Sequence, residues 1–342
     1  MRQVVRFAGT PRGRVAYSVT GSGPPLVCMF GWVSHLGLMW ETPDHRRFVE
    51  ALSRTHTVIR YDKVGCGLSD RDRTDFSMES ELAVLAALVG QLGLGRFALF
   101  GSCESGQVAA AYAAAHPDEL SSLIVYGSCV RGRDLAPDDV RESVLSLVRA
   151  HWGLGSRVLA DMWLPDAPPE VAAIFARHQR GSATADMAAS LLDMFYRFDV
   201  TDLLSAIRVP TLVAHRRGSR AVRFDLGREL AAQIPGAQFA ELAGRMQPIY
   251  AEDADAAAAV LLSFLRDQTA PKEATGGPLT SRELQVADLI ADGLSNPEIA
   301  RTLGVSVRTV DSHVEHVRTK LGVRARAQIA VWARLTPSGQ PR

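Results

Sequence analysis

Six short apolar runs recur along the chain: LVCMF at 26–30, TVIRYD at 57–62, FALFG at 97–101, SLIVYG at 122–127, TLVAH at 211–215 and AQFAEL at 237–242. Near-continuous runs of this length are what strands buried on both faces require. Helical stretches are expected between them, near 44–53, 78–92, 105–116, 223–234 and 253–267. This repetition predicts an α/β fold with a mostly parallel sheet. The first 20 residues read as a β-hairpin that turns at Thr10, Pro11 and Gly13.

The alternation breaks twice. Residues 130–206 hold several helix-like pieces, a break at PDAPP (165–169) and the bulky Trp152, Trp163, Met187, Met194, Phe195 and Phe198. They are expected to form a helical cap over the C-terminal edge of the sheet, where open α/β folds bind ligands. Residues 268–278, QTAPKEATGGP, have no periodicity and read as a linker. At 342 residues and 47% hydrophobic, the chain has room for a large core at 1–267 and a second, all-helical module at 279–336.

That module has its helix starts written into local chemistry. Thr280 with Glu283 and Ser295 with Glu298 form S/T-x-x-E capping boxes, and Ser306 is a third N-cap. Net charge over the whole chain is only +1, yet residues 301–334 carry seven Arg or Lys against two acids. Positive charge is concentrated where a phosphate backbone would lie. The segment LTSRE, followed by GLSNPEIARTLGVSVRTVDSHVEHVRTKLGV, resembles the LuxR/GerE-type helix-turn-helix. The resemblance implies double-stranded DNA as a partner, with a second helix near 307–321 in the major groove. It places Asp311, Ser312 and Glu315 towards the bases and Arg308, Thr309, His313, Arg318 and Lys320 towards the phosphates. It also implies a homodimer paired through the last helix. Acids at two of the base-facing positions point to an unusual operator and modest non-specific binding.

The first region resembles α/β-hydrolases, through PPLVCMFGWVSHLGLMWE, YDKVGCGLSD, LFGSCESGQVA, PTLVAHRRGSRAV and ELAGRMQPIYAED. LFGSCESGQVA (99–109) has the strand, turn and helix of a nucleophile elbow, but Cys103 stands where G-x-S-x-G has serine, and Ser105 replaces the last glycine. The family pattern HRxGDR would put the acid at 219, where this chain has Ser219. GRDH would put the histidine base at 247, where it has Gln247. Glutamine cannot shuttle a proton, so the triad is degenerate and no catalytic residue is expected. His35, in the loop that would supply part of an oxyanion hole, is the nearest candidate for a substitute base. The fold then implies a pocket for a small, mostly apolar effector, lined by Trp32, His35, Cys103, Glu104, Trp152, Trp163, Phe195 and Gln247, with backbone donors at Trp32 and Glu104. The alternative is a cysteine-dependent esterase or lactonase fused to a DNA-binding domain, with acylation of Cys103 as the signal.

Cys28, Cys66, Cys103 and Cys129 are widely spaced with no CxxC pair, which fits neither a disulfide scaffold nor a zinc ribbon. Cys66, Cys103 and Cys129 follow strands on one edge, where ordinary burial competes with redox or soft-metal sensing. No thiol or acid at ligand spacing completes a site with His313 and His316, so neither metal nor cofactor is expected. No apolar run reaches the roughly 18 residues of a membrane span. A cytoplasmic setting is expected.

Overall fold

The computed structural model describes residues 3–269, 279–323 and 325–335. Eight strands, β1 Val5–Thr10, β2 Gly13–Thr20, β3 Pro25–Met29, β4 Thr57–Tyr61, β5 Phe97–Ser102, β6 Leu120–Tyr126, β7 Thr211–Arg216 and β8 Gln238–Leu242, form one sheet in the order β1-β2-β4-β3-β5-β6-β7-β8. The hairpin strand β2 pairs antiparallel with β1 and β4, and every pairing from β4 through β8 is parallel. Successive residues of the central strands enter opposite cores: Val27, Leu99, Leu123 and Val213 on one face, Leu26, Ala98, Ile124 and Leu212 on the other. Burial on both faces explains why these strands read as apolar runs.

The helix Glu104–Ala115 is buried over most of its length, because ESGQVAAAYAAA has few side chains large enough to hold it off the sheet. Residues 130–206 carry the 3-10 turn Gly132–Leu135 and the helices Asp138–Ala150, Trp152–Trp163, Pro169–Ser182, Ala185–Arg197 and Thr201–Leu204. Their inward side chains, among them Val148, Leu159, Ala188, Leu192 and Phe195, join the core on the Val27 face.

The described structure divides into two compact units between Leu265 and Arg266. The second unit contains the helices Ser281–Ala291, Asn296–Leu303, Val307–Leu321 and Arg326–Leu335 around Val286, Ile290, Ile299, Val310, Val314, Val317 and Ile329. Both capping boxes form: the Glu283 carboxylate accepts from the Thr280 N–H at 2.7 Å, and that of Glu298 from the Ser295 N–H at 2.8 Å. Gly304 ends one helix at φ 65°, a left-handed conformation that costs a side-chain-bearing residue about 1 kcal/mol or more. The linker expected at 268–278 lies outside the described residues except for its first two positions, which end the helix Ala254–Thr269. Arg324 and position 336 also lie outside them. Among the described residues no helix is long and apolar enough to cross a membrane.

Candidate functional site

Cys103 sits between β5 and the helix Glu104–Ala115 at φ 60°, ψ −130°, a strained conformation for any residue with a side chain. The turn is this tight because a Cβ at Gly101 would lie 2.2 Å from the Ser105 carbonyl oxygen. Close approach beyond the elbow falls to Gly106, whose added Cβ would lie 2.6 Å from the Ser128 Cβ. Ser105 is therefore tolerated, and its hydroxyl donates to Glu104 Oε1 at 3.0 Å. Three loops meet at the elbow. Gln247 Nε2 donates to Cys103 Sγ at 3.4 Å and to the Gly127 carbonyl at 2.8 Å, while Ser219 Oγ donates to Gln247 Oε1 at 2.7 Å. The structure brings together all three sequence-picked positions, in the order nucleophile, base, acid, with residues that cannot move a proton along the chain.

Burial pushes the Cys103 thiol up to about 11, against the lowering influence of the Gln247 amide and the Lys63 ammonium. Cys28 is pushed up to about 12 and Cys66 to about 11 by the same cause, and Cys129 is raised as well. These are resting thiols, and no group of metal-ligating side chains occurs among the described residues. The cavity at the elbow has a volume of about 60 Å³. Phe30, Val33, Met39, Phe175 and Ile249 give it apolar walls; Cys103, Trp163 and Gln247 also line it.

Five other residues expected at the wall are placed elsewhere. Trp32 is buried, edge-on to Trp163 and Trp152 at ring separations of 5.5 and 6.2 Å, while its two neighbours Gly31 and Val33 line the cavity. Trp152 donates its indole N–H to the Ala183 carbonyl at 3.0 Å, and Phe195 is in the core. His35 caps the helix Leu36–Glu41, accepting at Nδ1 from the Gly37 and Leu38 N–H groups, so that nitrogen is unavailable as a base. Glu104 turns inward into an ion pair with Lys63, both buried, while Lys63 also donates to the Gly31 carbonyl at 3.0 Å. The backbone N–H groups of Trp32 and Glu104 have no protein acceptor among the described residues.

In the second unit, Arg308, Thr309, Asp311, Ser312 and Glu315 are exposed on the helix Val307–Leu321, with His313 and Arg318 half-buried. Lys320 departs from its expected place: its ammonium lies 2.6 Å from Glu283 Oε2 and is committed to that buried acid. Burial alone would raise Glu283, but Lys320 and the Thr280 donors outweigh it and hold the carboxyl down to about 2. Arg318 leans on Glu315 at 3.4 Å.

The family profile described as "alpha/beta hydrolase fold" matches residues 24–244. The chain belongs to that family. The profile described as "Bacterial regulatory proteins, luxR family" matches residues 277–333. The chain is 28% identical over 275 positions to polyketide synthase ThaQ of Burkholderia thailandensis, covering 78% of this chain and 13% of that protein. The C-terminal region is 46% identical over 55 positions to oxygen regulatory protein NreC of Staphylococcus aureus, covering 16% of this chain and 25% of that protein. The chain thus spans a small part of the length of both curated relatives. Among solved structures, a bromoperoxidase from Bacillus anthracis superposes with TM-score 0.70 at 22% identity, over 77% of this chain and all of that one. An enol-lactonase from Burkholderia xenovorans does so with TM-score 0.66 at 25% identity, over 76% of this chain and all of that one. The chain thus joins an α/β-hydrolase-fold domain to a C-terminal segment that matches the luxR-family profile.

Within this hydrolase fold, the residues that hold Gln247 in place went unread in the sequence. Arg216, buried at the end of β7, donates to the carbonyls of Ala243, Ile249 and Ala251 and lies 3.2 Å from Glu252. Glu252 in turn accepts from the Arg245 and Met246 N–H groups. A buried guanidinium thus ties down both ends of the loop that carries Gln247, whose own N–H donates to the Trp163 carbonyl at 2.7 Å. In HRRGSR two arginines stand side by side, and nothing local distinguishes the buried Arg216 from the exposed Arg217.

Proposed function

We propose that the α/β-hydrolase-fold unit is a receptor: it binds a small, mostly apolar molecule bearing a carbonyl oxygen, does not hydrolyse it, and thereby changes DNA binding. The observation that carries this is the chain Ser219–Gln247–Cys103, which keeps triad geometry at 2.7 and 3.4 Å with an amide where hydrolysis needs an imidazole. An amide can donate to a ligand but cannot accept the thiol proton and pass it to a leaving group. The raised Cys103 thiol and the commitment of His35 Nδ1 to a helix cap support the same reading. The apolar walls suit a hydrocarbon body, and the backbone N–H groups of Trp32 and Glu104, without a protein acceptor among the described residues, would donate to its carbonyl.

The DNA-facing role of Arg308, Thr309, Asp311, Ser312, His313, Glu315 and Arg318 is part of the proposal, as is a homodimer. Val331 and Leu335 on the closing helix are 58% and 78% exposed, apolar surface that a second copy would cover.

A thermal-shift screen against metabolite extracts, with native mass spectrometry of what co-purifies, tests the receptor. A selective ligand raises the melting temperature and is recovered intact. Hydrolysis of activated esters or lactones by the wild-type protein, lost in Cys103→Ala, would establish instead the cysteine-hydrolase reading.

A further inference from the structure

The helix expected to enter the groove carries an acid, Asp311, on its exposed face, where attraction to phosphate would call for a base. The structure ties this acid into a relay. Asn296 Nδ2 donates to Asp311 Oδ1 at 2.7 Å, and Arg326 donates to Asn296 Oδ1 at 2.6 Å and to the Leu294 carbonyl at 2.5 Å. Three helices, Asn296–Leu303, Val307–Leu321 and Arg326–Leu335, each supply one member. The polarity of the relay is forced, since guanidinium only donates and carboxylate only accepts, which leaves one orientation for the Asn296 amide. Asp311 Oδ1 is thereby occupied and the side chain held, while Oδ2 has no hydrogen-bond partner among the described residues. A fixed carboxylate with one free oxygen is an acceptor. In the major groove cytosine offers the N4 amino donor with no adjacent acceptor, whereas adenine sets its N7 acceptor beside its amino group and repels a carboxylate.

We propose that Asn296, backed by Arg326, is a specificity-determining positioning residue that holds Asp311 to read a cytosine N4 amino group. The inference rests on the reading that the helix Val307–Leu321 enters the major groove.

Selection of the full-length protein on a randomised duplex pool, followed by binding measurements in which each position of the selected site is replaced singly, tests it. The wild type is expected to lose about 10-fold or more when one particular cytosine is replaced. Asn296→Asp retains an acceptor for Arg326 and suits the first turn of a helix, but presents a like charge to Asp311. It is expected to bring the discrimination at that cytosine close to 1 while leaving the other positions and the melting temperature unchanged. Asp311→Ala, at an exposed site, should abolish the same preference, and Asp311→Asn should move it towards adenine. Wild-type discrimination in Asn296→Asp would overturn the positioning role alone. Retention of every preference by Asp311→Ala would overturn the cytosine reading, and a wild-type pool with no enriched site would overturn both it and groove entry.

Discussion

The 2.7 and 3.4 Å contacts of Gln247 mean that Ser219, Gln247 and Cys103 differ from a working triad in chemistry rather than placement. Gln247→His combined with Ser219→Asp therefore supplies the missing base and its orienting acid without moving the backbone. Ester hydrolysis by this double variant is expected to exceed the wild type by about 10²-fold or more, the usual worth of a general base. Ser219→Asp alone should gain nothing; p-nitrophenyl acetate turnover compares the variants, and a double variant as inert as the wild type would locate the defect in access to the elbow. These three positions were legible in the sequence because the family patterns it resembles put each one just after a recognisable strand. The wall residues Trp32, Trp152 and Phe195 were not, since an aromatic side chain reads the same whether it lines a cavity or fills a core. Glu283 makes a pH prediction at the same scale. Its carboxyl, held to about 2 when folded, stabilises the C-terminal unit above the ordinary carboxyl range, and that stabilisation is lost as pH falls towards 2. Glu283→Gln is expected to cost about 1 to 3 kcal/mol at neutral pH and to flatten the decline between about pH 5 and pH 2, read by thermal melting across that range.

The loop 243–252 shows how an element is held by a residue outside it. Arg216 is buried and paired with Glu252, so truncating it strands a carboxylate and several carbonyls at once. Arg216→Ala is expected to cost about 3 to 5 kcal/mol. Amide exchange across 243–252 should quicken more than in β5 or β6, and uniform protection would remove Arg216 from the role of anchor. Gly127 serves the same loop from the other side. At φ 56° it is left-handed, and a Cβ there would meet Gln247 Nε2 at 2.4 Å, so a side chain at this position would strain the backbone and push the amide from its place. Elements were the most legible level of the chain. The helices Met78–Gln91 and Phe224–Gln233 and strands β3 to β7 lie within a residue or two of where periodicity places them, because burial on two faces or one stripe leaves a direct trace in the sequence. Which loop residues meet above the sheet leaves no such trace; it depends on strand order, and that places β3 between β4 and β5.

For the whole molecule, a net charge of only +1 hides a basic stretch at 301–334 with seven Arg or Lys against two acids. If that stretch binds DNA as proposed, the fall of log affinity with log salt is expected to count the phosphates its side chains reach, not the overall charge. Coupling between the pocket and the DNA-binding unit has a stricter test than any single affinity. A ligand can shift DNA binding only by the difference between its affinities for the DNA-bound and free protein, and DNA must shift ligand affinity by the same factor. For coupling of about 1 to 3 kcal/mol that factor is about 5 to 150. Titrating DNA with and without saturating ligand, and ligand with and without saturating DNA, should return equal ratios. A Gln247→Ala variant removes the side chain that joins Ser219, Gly127 and Cys103 while leaving the DNA-binding unit untouched, so it should move both ratios towards 1 together and leave the affinity of ligand-free protein for DNA unchanged. Ratios of 1 in the wild type would reduce the hydrolase-fold unit to a passenger, however tightly it bound its ligand.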